Sequence, residues 1–347
     1  LTYNGNDDAT RTFDIGFVSD WAWFKADADG YGHQLYDSSR GVHKYLQSNV
    51  AGTEQTSTEG VTSFDTSGNL VIGTNAFLNE AGTDGTIWNW KANGGTTTTN
   101  DASSTGIGDR DSVYQANTTA GFSIVTYTGS GQTGAGNDDT YAHGLQVNGV
   151  ATTPEVIICK NRDVADAWLF GATAIPSFDW ANDYMHFNDT IAHQTNANRS
   201  AFSVAPTSTV FSVGEFLNKT NNYVAYLFAS VEGYSKFGSY TGNGNADGSF
   251  IYLGFRPAFI MSKKTSGTGN WEMFDTTRDP INYSGKYILA NSSDQEGDTG
   301  TNTAGHIFDI LSNGFKLRNT NSDRNSSGGT YIYMAFAEAP FKYANAR

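Results

Sequence analysis

Cysteine is nearly missing from this chain: Cys159 is the only one in 347 residues. An intrachain disulfide is excluded, and the lone thiol lies in the apolar run EVIICK, which predicts a buried, inert side chain. Charge is sparse, and Lys and Arg are its minority, 21 against 35 Asp and Glu. The resulting net charge of −14 argues against nucleic acid, whose phosphates need cations, and against an anionic membrane surface. No run of about 18 apolar residues predicts a membrane-spanning helix, and no signal-peptide pattern is visible. The chain starts at Leu1 directly on a repeated motif, which reads as a segment of a longer or processed protein. Amphipathic helical stripes are missing too. What is present, 39 glycines with abundant Thr, Ser, Asn and aromatics, predicts β structure with many turns.

One phrase occurs three times: LTYNGNDDA from Leu1, IVTYTGSGQTG from Ile124 and GSYTGNGNADG from Gly238, with tyrosines at 3, 127 and 240. The text downstream also aligns. Gly16 falls on Gly254, Phe17 on Phe255, and Lys25 and Lys160 on Lys263. Each copy continues through an apolar strand, a polar turn and an aromatic strand (Tyr45, Tyr184, Tyr287), and closes with a hairpin. Units of roughly 100 residues with short, evenly spaced strands are sandwich-sized rather than solenoid repeats. The sequence thus predicts an all-β chain of three tandem antiparallel β-sandwich, jelly-roll domains of one type. Their bounds are 1–92, 121–233 and 234–347, with a Gly/Thr-rich linker at 93–120. Tyr3, Tyr127 and Tyr240 are expected at equivalent, buried positions. The closing strands YVAYLFA and YIYMAFA are apolar at nearly every position. One face should pack the unit's own core. The other either meets a neighbouring unit or chain, or is a tyrosine-rich face open to water.

Catalytic patterns are thin. The E-x-D-x-x-E string of lectin-fold glucanases and the G-x-S-x-G elbow are both absent, so no catalytic residue is assigned. The histidines show no metal-ligand spacing. His186 and His193 flank a loop where a metal is conceivable, but solvent-exposed loop histidines are expected. Calcium has a weak case only, in ADADG (Asp27, Asp29) and GNDDT (Asp138, Asp139), which lack the distal glutamate of a calcium loop. No cofactor is assigned. The clearest polar constellation is Asp37-Ser-Ser-Arg40, repeated as Asp275-Thr-Thr-Arg278. Read structurally, it is a self-satisfied turn. Read functionally, it offers paired polar groups at a loop tip to a sugar or partner. Trp180, in PSFDWANDY, is the tryptophan expected to stand exposed and stack on a sugar ring.

GFSIVTYTGSG, EGYSKFGSYTGNG, LYDSSRG, LSNGFKL and the ending GGTYIYMAFAEAPFKYANAR resemble the repeated domain of marine bacteriophage structural proteins, cyanophage-like tail-fibre and virion proteins. The resemblance covers essentially the whole chain. It departs in the first copy, which has NGNDDATRT, and in the second, which lacks the Asp-x-x-Arg turn. It implies a concanavalin-like, lectin-type sandwich. It also implies a virion-surface location, assembly as a homo-oligomer, trimers being usual for fibres, and contact with other virion proteins. The function expected from it is multivalent attachment to host-surface polysaccharide through loops. The rivals are a purely structural capsid-decoration or tail component, a polysaccharide depolymerase, and a cellular extracellular filament or adhesin.

Overall fold

Short β-branched and aromatic runs broken by glycine turns leave little room for helix, and the chain is all-β and antiparallel. The structure is a computed structural model. It describes residues 1–347 except 29, 133–137, 197–200, 281, 283, 300–306 and 339–347. No helix among the described residues is long and apolar enough to cross a membrane.

The strands fall into three sets whose sheets do not cross-pair. In the first, a six-stranded sheet runs Thr2–Asn4, Asp84–Trp90, Trp21–Ala26, Gln34–Asp37, Lys44–Leu46, Gln55–Thr56. It faces a three-stranded sheet of Arg11–Asp14, Asn69–Ile72 and Val61–Phe64. The third set repeats this order. Its large sheet runs Ser235–Thr241, Thr330–Ala337, Pro257–Lys264, Trp271–Asp275, Lys286–Leu289, Gly297–Asp298, and its small sheet is Phe250–Tyr252, Gly314–Leu317 and Phe308–Leu311. The second set follows the same order from Phe122–Thr128 through Asn222–Phe228 and Val156–Asn161 to Leu169–Ala172, Asp183–His186 and Gln194–Thr195. Two strands are added outside; among the described residues the facing layer is the pair Asp139–Ala142 and Val210–Val213, and Gln146–Val147 forms a separate hairpin with Val150–Ala151.

Those two added strands correct the linker. Thr98–Asn100 and Ser112–Asn117 lie inside 93–120, and Ser112–Asn117 pairs along its whole length with Phe122–Thr128. Gln115 reaches Ser39 at 2.6 Å and Asn117 reaches the Lys91 carbonyl at 3.0 Å, so the segment is also tied to the first unit. An edge strand is held mainly by backbone pairing and needs no apolar stripe, which is why its composition looked like a tether.

Period-two alternation splits each large sheet between two cores. Ala22 and Phe24 face the small sheet of the first unit, packing with Phe13, Leu70 and Ile72. Ile157 and Cys159 do the same in the second unit, and Ile260 and Phe274 in the third. The alternate residues point the other way and fuse into one cluster shared by all three. Trp21, Trp23, Ile158, Trp168, Met261 and Trp271 belong to it. Trp21 stacks on Tyr226 at 4.3 Å, and Trp271 packs on Phe170 at 4.8 Å. Both faces of the closing strands are therefore covered, one by the unit's own sandwich and one by its neighbours.

The tyrosine-glycine phrase has a local cause that is the same each time. Tyr3, Tyr127 and Tyr240 occupy one register position, opposite Gly85, Tyr223 and Tyr331. Each hydroxyl donates to a carbonyl in the short helical turn before the closing strand: Leu78 at 2.5 Å, Leu217 at 3.0 Å and Arg324 at 2.9 Å. Two residues on, Gly5, Gly129 and Gly242 pass so close to the carbonyls of Glu80, Lys219 and Ser326 that a Cβ would collide with each. Tyr127 and Tyr240 are buried and stack on Tyr223 and Tyr331, both at 5.0 Å. Tyr3 is only half-buried, because Gly85 stands where the other units supply a stacking ring.

Candidate functional site

The Asp-x-x-Arg turns close on themselves first. Asp37 accepts the Arg40 backbone N–H at 2.8 Å and its Nε at 2.5 Å, while Arg40 Nη2 donates to the Leu35 carbonyl at 2.8 Å. Asp275 and Arg278 repeat the arrangement at 3.0 and 2.6 Å, with Nη2 on Met273 at 3.2 Å. The remaining guanidinium nitrogen goes to a glutamate on the next strand connection, Glu54 at 3.1 Å or Glu296 at 2.8 Å.

The first turn is not a loop tip open to a ligand, and the second reaches a cleft only through Thr277 and the edge of Arg278. The Asp37 and Arg40 side chains are wholly buried, and those of Asp275 and Arg278 are 7% and 5% exposed. A neighbouring unit covers each. Tyr226 of the second unit donates its hydroxyl to Asp37 at 2.7 Å, and Trp88 of the first donates its indole N–H to Asp275 at 3.2 Å. Arg162 of the second unit grips both oxygens of Glu54, at 2.9 and 3.0 Å. Burial opposes the Glu54 charge, but Arg162 and Arg40 outweigh it and hold the carboxyl below its usual value. The four residues read as ligand-binding are thus locks between units. Trp180 is corrected likewise: it is 7% exposed, packs edge-on against Phe178 and Phe202, and sits over Gly171, where a Cβ would meet its ring.

A second set of bonds joins the units in a cycle. Trp168, Trp271 and His33 hold one register position, each at the start of the strand that pairs with the one carrying the aligned lysine. Trp168 Nε1 of the second unit donates to Gln47 O of the first at 2.8 Å. Trp271 Nε1 of the third donates to His186 O of the second at 2.9 Å. His33 Nε2 of the first lies 2.9 Å from Leu289 O of the third. Trp23 Nε1 donates to His33 Nδ1 at 2.8 Å, so Nε2 carries the proton and donates. Burial pushes this imidazole down to about 3. Backbone contacts follow the same circuit: Glu54 N to Arg162 O at 2.8 Å, and His193 N to Thr265 O at 3.1 Å. Glu296 N completes it on Asp27 Oδ1 at 2.6 Å. A head-to-tail contact repeated three times has closed into a ring.

The match of a family model decides where the chain belongs. It is a member of the family described as Domain of unknown function (DUF7483), matched over residues 1–340. The match runs from the first unit into the third, so the family pattern treats the three sandwiches as one body. No curated protein and no solved structure matches the chain.

Within this family member, the loop histidines and Asp139 singled out from the sequence are paired. His186 lies 2.6 Å from Asp189, and His193 lies 3.1 Å from Asp183. Asp139 accepts from Arg110 at 2.9 Å, from Asn218 at 2.8 Å and from Ser130. Asp29 lies outside the described residues. Among the described residues no group of three His, Cys, Asp or Glu is placed to hold a metal. Cys159 is buried beside the Tyr127 hydroxyl at 3.3 Å, and burial pushes its thiol up to about 12. Lys160 and Lys263, at the aligned lysine position, are buried with their ammoniums on carbonyls of Asn161 and Lys264. Burial lowers both to about 8.

Two clefts remain. One of about 290 Å³ lies at the junction of the third and first units, beside Arg278, Lys286, Glu296, Asp27 and Asp84. The other, about 320 Å³, lies in the second unit between Tyr184, His186, Phe216 and Lys219. Sequence reading missed three buried asparagines that complete the tyrosine-glycine element. Asn79, Asn218 and Asn325 accept the backbone N–H just after the motif glycine, at 3.2, 3.0 and 2.9 Å. Their signal was available: each directly follows the residue whose carbonyl takes the tyrosine bond.

Proposed function

We propose that the chain is a structural protein of a virus-particle surface, a rigid three-part body whose outward faces meet the host. The observation that carries this reading is the closed ring: the polar groups richest in chemistry, Asp37, Arg40, Asp275 and Arg278, are spent on holding units together. The resemblance to marine phage structural proteins supplies the setting, and the −14 charge suits a soluble, repelling surface. Each unit's lateral contacts are used inside the chain, so attachment to other copies or virion proteins falls to the outer small sheets and loops. Mass spectrometry and antibody labelling of purified particles test the reading. The chain is expected as a stoichiometric, surface-labelled component. Its absence from particles overturns the proposal, and release of reducing ends from host polysaccharide by the isolated chain replaces it with a depolymerase.

A further inference from the structure

Among the described residues the aromatic side chains are buried or half-buried, with two conspicuous exceptions. Phe250 is 45% and Tyr252 59% exposed, the most exposed aromatic residues among the described ones. They flank buried Ile251 on the edge strand Phe250–Tyr252 of the third unit's small sheet. Residues two apart on a strand share a face, about 7 Å apart. The two side chains therefore share the outer face, the Phe250 ring lying over Gly314 of the next strand.

The fold does not ask for them. The corresponding strand of the first unit, Arg11–Asp14, pairs in the same register, with Phe13 at the Ile251 position, and it carries Thr12 and Asp14 where the third unit has Phe250 and Tyr252. Both of those are exposed as well. The third unit thus exposes apolar rings where its sister is content with polar groups, at a cost in hydration that needs a reason.

The surroundings are polar and locally cationic on an acidic chain. Lys236 lies over the Tyr252 ring at 5.3 Å and donates to the Tyr252 carbonyl at 2.8 Å. Among the described residues no carboxylate forms an ion pair with it. Lys316, directly across the ladder from Phe250, pairs with Asp247 at 2.8 Å, and the Asp247 side chain is 80% exposed. Flat rings beside mixed donors and acceptors match what a sugar presents, an apolar C–H face rimmed by hydroxyls. The unneutralised ammonium adds a preference for a carboxylate.

We infer that Phe250 and Tyr252 form a platform for an acidic, uronate-containing polysaccharide, with Lys236 meeting its carboxylate. This rests on the surface-attachment reading, and it moves the contact from the Asp-x-x-Arg turns to an outer face. The test is affinity electrophoresis of the full chain in native gels containing alginate, with dextran gels as the neutral control. Wild type is expected to be retarded in alginate. The variant Phe250→Thr/Tyr252→Asp, which copies the first unit and so keeps a strand that folds, is expected to lose at least tenfold in affinity at unchanged Tm. Lys236→Ser is expected to weaken alginate binding several-fold without creating dextran binding. Retardation that survives the double substitution overturns the platform while leaving surface attachment standing, and so does a lack of retardation in a chain that still labels on particles. Retardation in dextran alone overturns the acidic assignment. Self-association abolished by the double variant overturns the ligand in favour of a second copy.

Discussion

The first–second and second–third junctions solve one packing problem in opposite ways. The first–second junction buries Asp37 and Arg40 beneath Tyr226, with Glu54 clamped by Arg162. At the corresponding register positions the second–third junction has Ala172, Ile175 and Met334, all in the shared core. Charge, hydroxyl and guanidinium have been exchanged together for apolar groups. Closure of the ring therefore does not require the ion network. A buried network costs about as much in desolvation as its Coulomb attraction returns, and what it adds is intolerance of a wrong partner.

The largest effect should come from breaking the charged junction halfway. Arg40→Ala strands the buried Asp37 carboxylate, while Glu54 keeps Arg162, and is expected to cost about 3–5 kcal/mol in urea unfolding. The triple variant Asp37→Ala/Arg40→Ile/Tyr226→Met, which writes the second–third solution into the first–second junction, should recover most of that loss. If it stays as unstable as the single variant, the two junctions are not interchangeable.

A smaller loss, about 1–3 kcal/mol each, is expected from Gly129→Ala and Gly242→Ala, because the new methyl collides with a backbone carbonyl inside the sandwich. Similar losses in the second and third units would show that the motif serves each sandwich and not the junctions. Markedly unequal losses would tie it to one junction.

Acid should act on the third–first junction. Folded His33 takes its proton near pH 3, whereas its ordinary value is 6.5, so the unfolded chain binds the proton first. Stability from this site is complete above about pH 6.5 and declines as pH falls toward 3. His143, pushed down to about 4 by burial, adds to the same trend. His33→Gln keeps a donor for Leu289 and an acceptor for Trp23, and should shrink the acid loss in a Tm-against-pH series. An unchanged slope would assign the loss elsewhere. The smallest effect is expected on the outer face, where Phe250→Thr/Tyr252→Asp should shift stability by no more than about 0.5 kcal/mol.

Sequence carried the β class, the succession of strands along each unit and the tyrosine-glycine element, because all are local or repeated; the expected closing hairpin is instead split, its last strand crossing into the large sheet. Tyr127 and Tyr240 stand where their spacing placed them. The ring was not legible, since Asp37 meets Tyr226 across 189 residues and a turn motif is silent about what covers it. Trp180 was misread for a related reason: its pocket exists because Gly171, on the strand Leu169–Ala172, lacks a side chain. Phe250 and Tyr252 were passed over because FIYLGF looks like any apolar strand until its pairing shows which face is wet.

The ring's closure within one polypeptide also changes how it can evolve. In a symmetric trimer of identical chains, any mutation strikes all three junctions at once. Here each junction is encoded separately, so one can trade a salt bridge for a methionine while the others hold the assembly together. Ala172 and Met334 at one junction, against the charged Asp37 and Asp275 at the other two, are the kind of divergence that separate encoding permits.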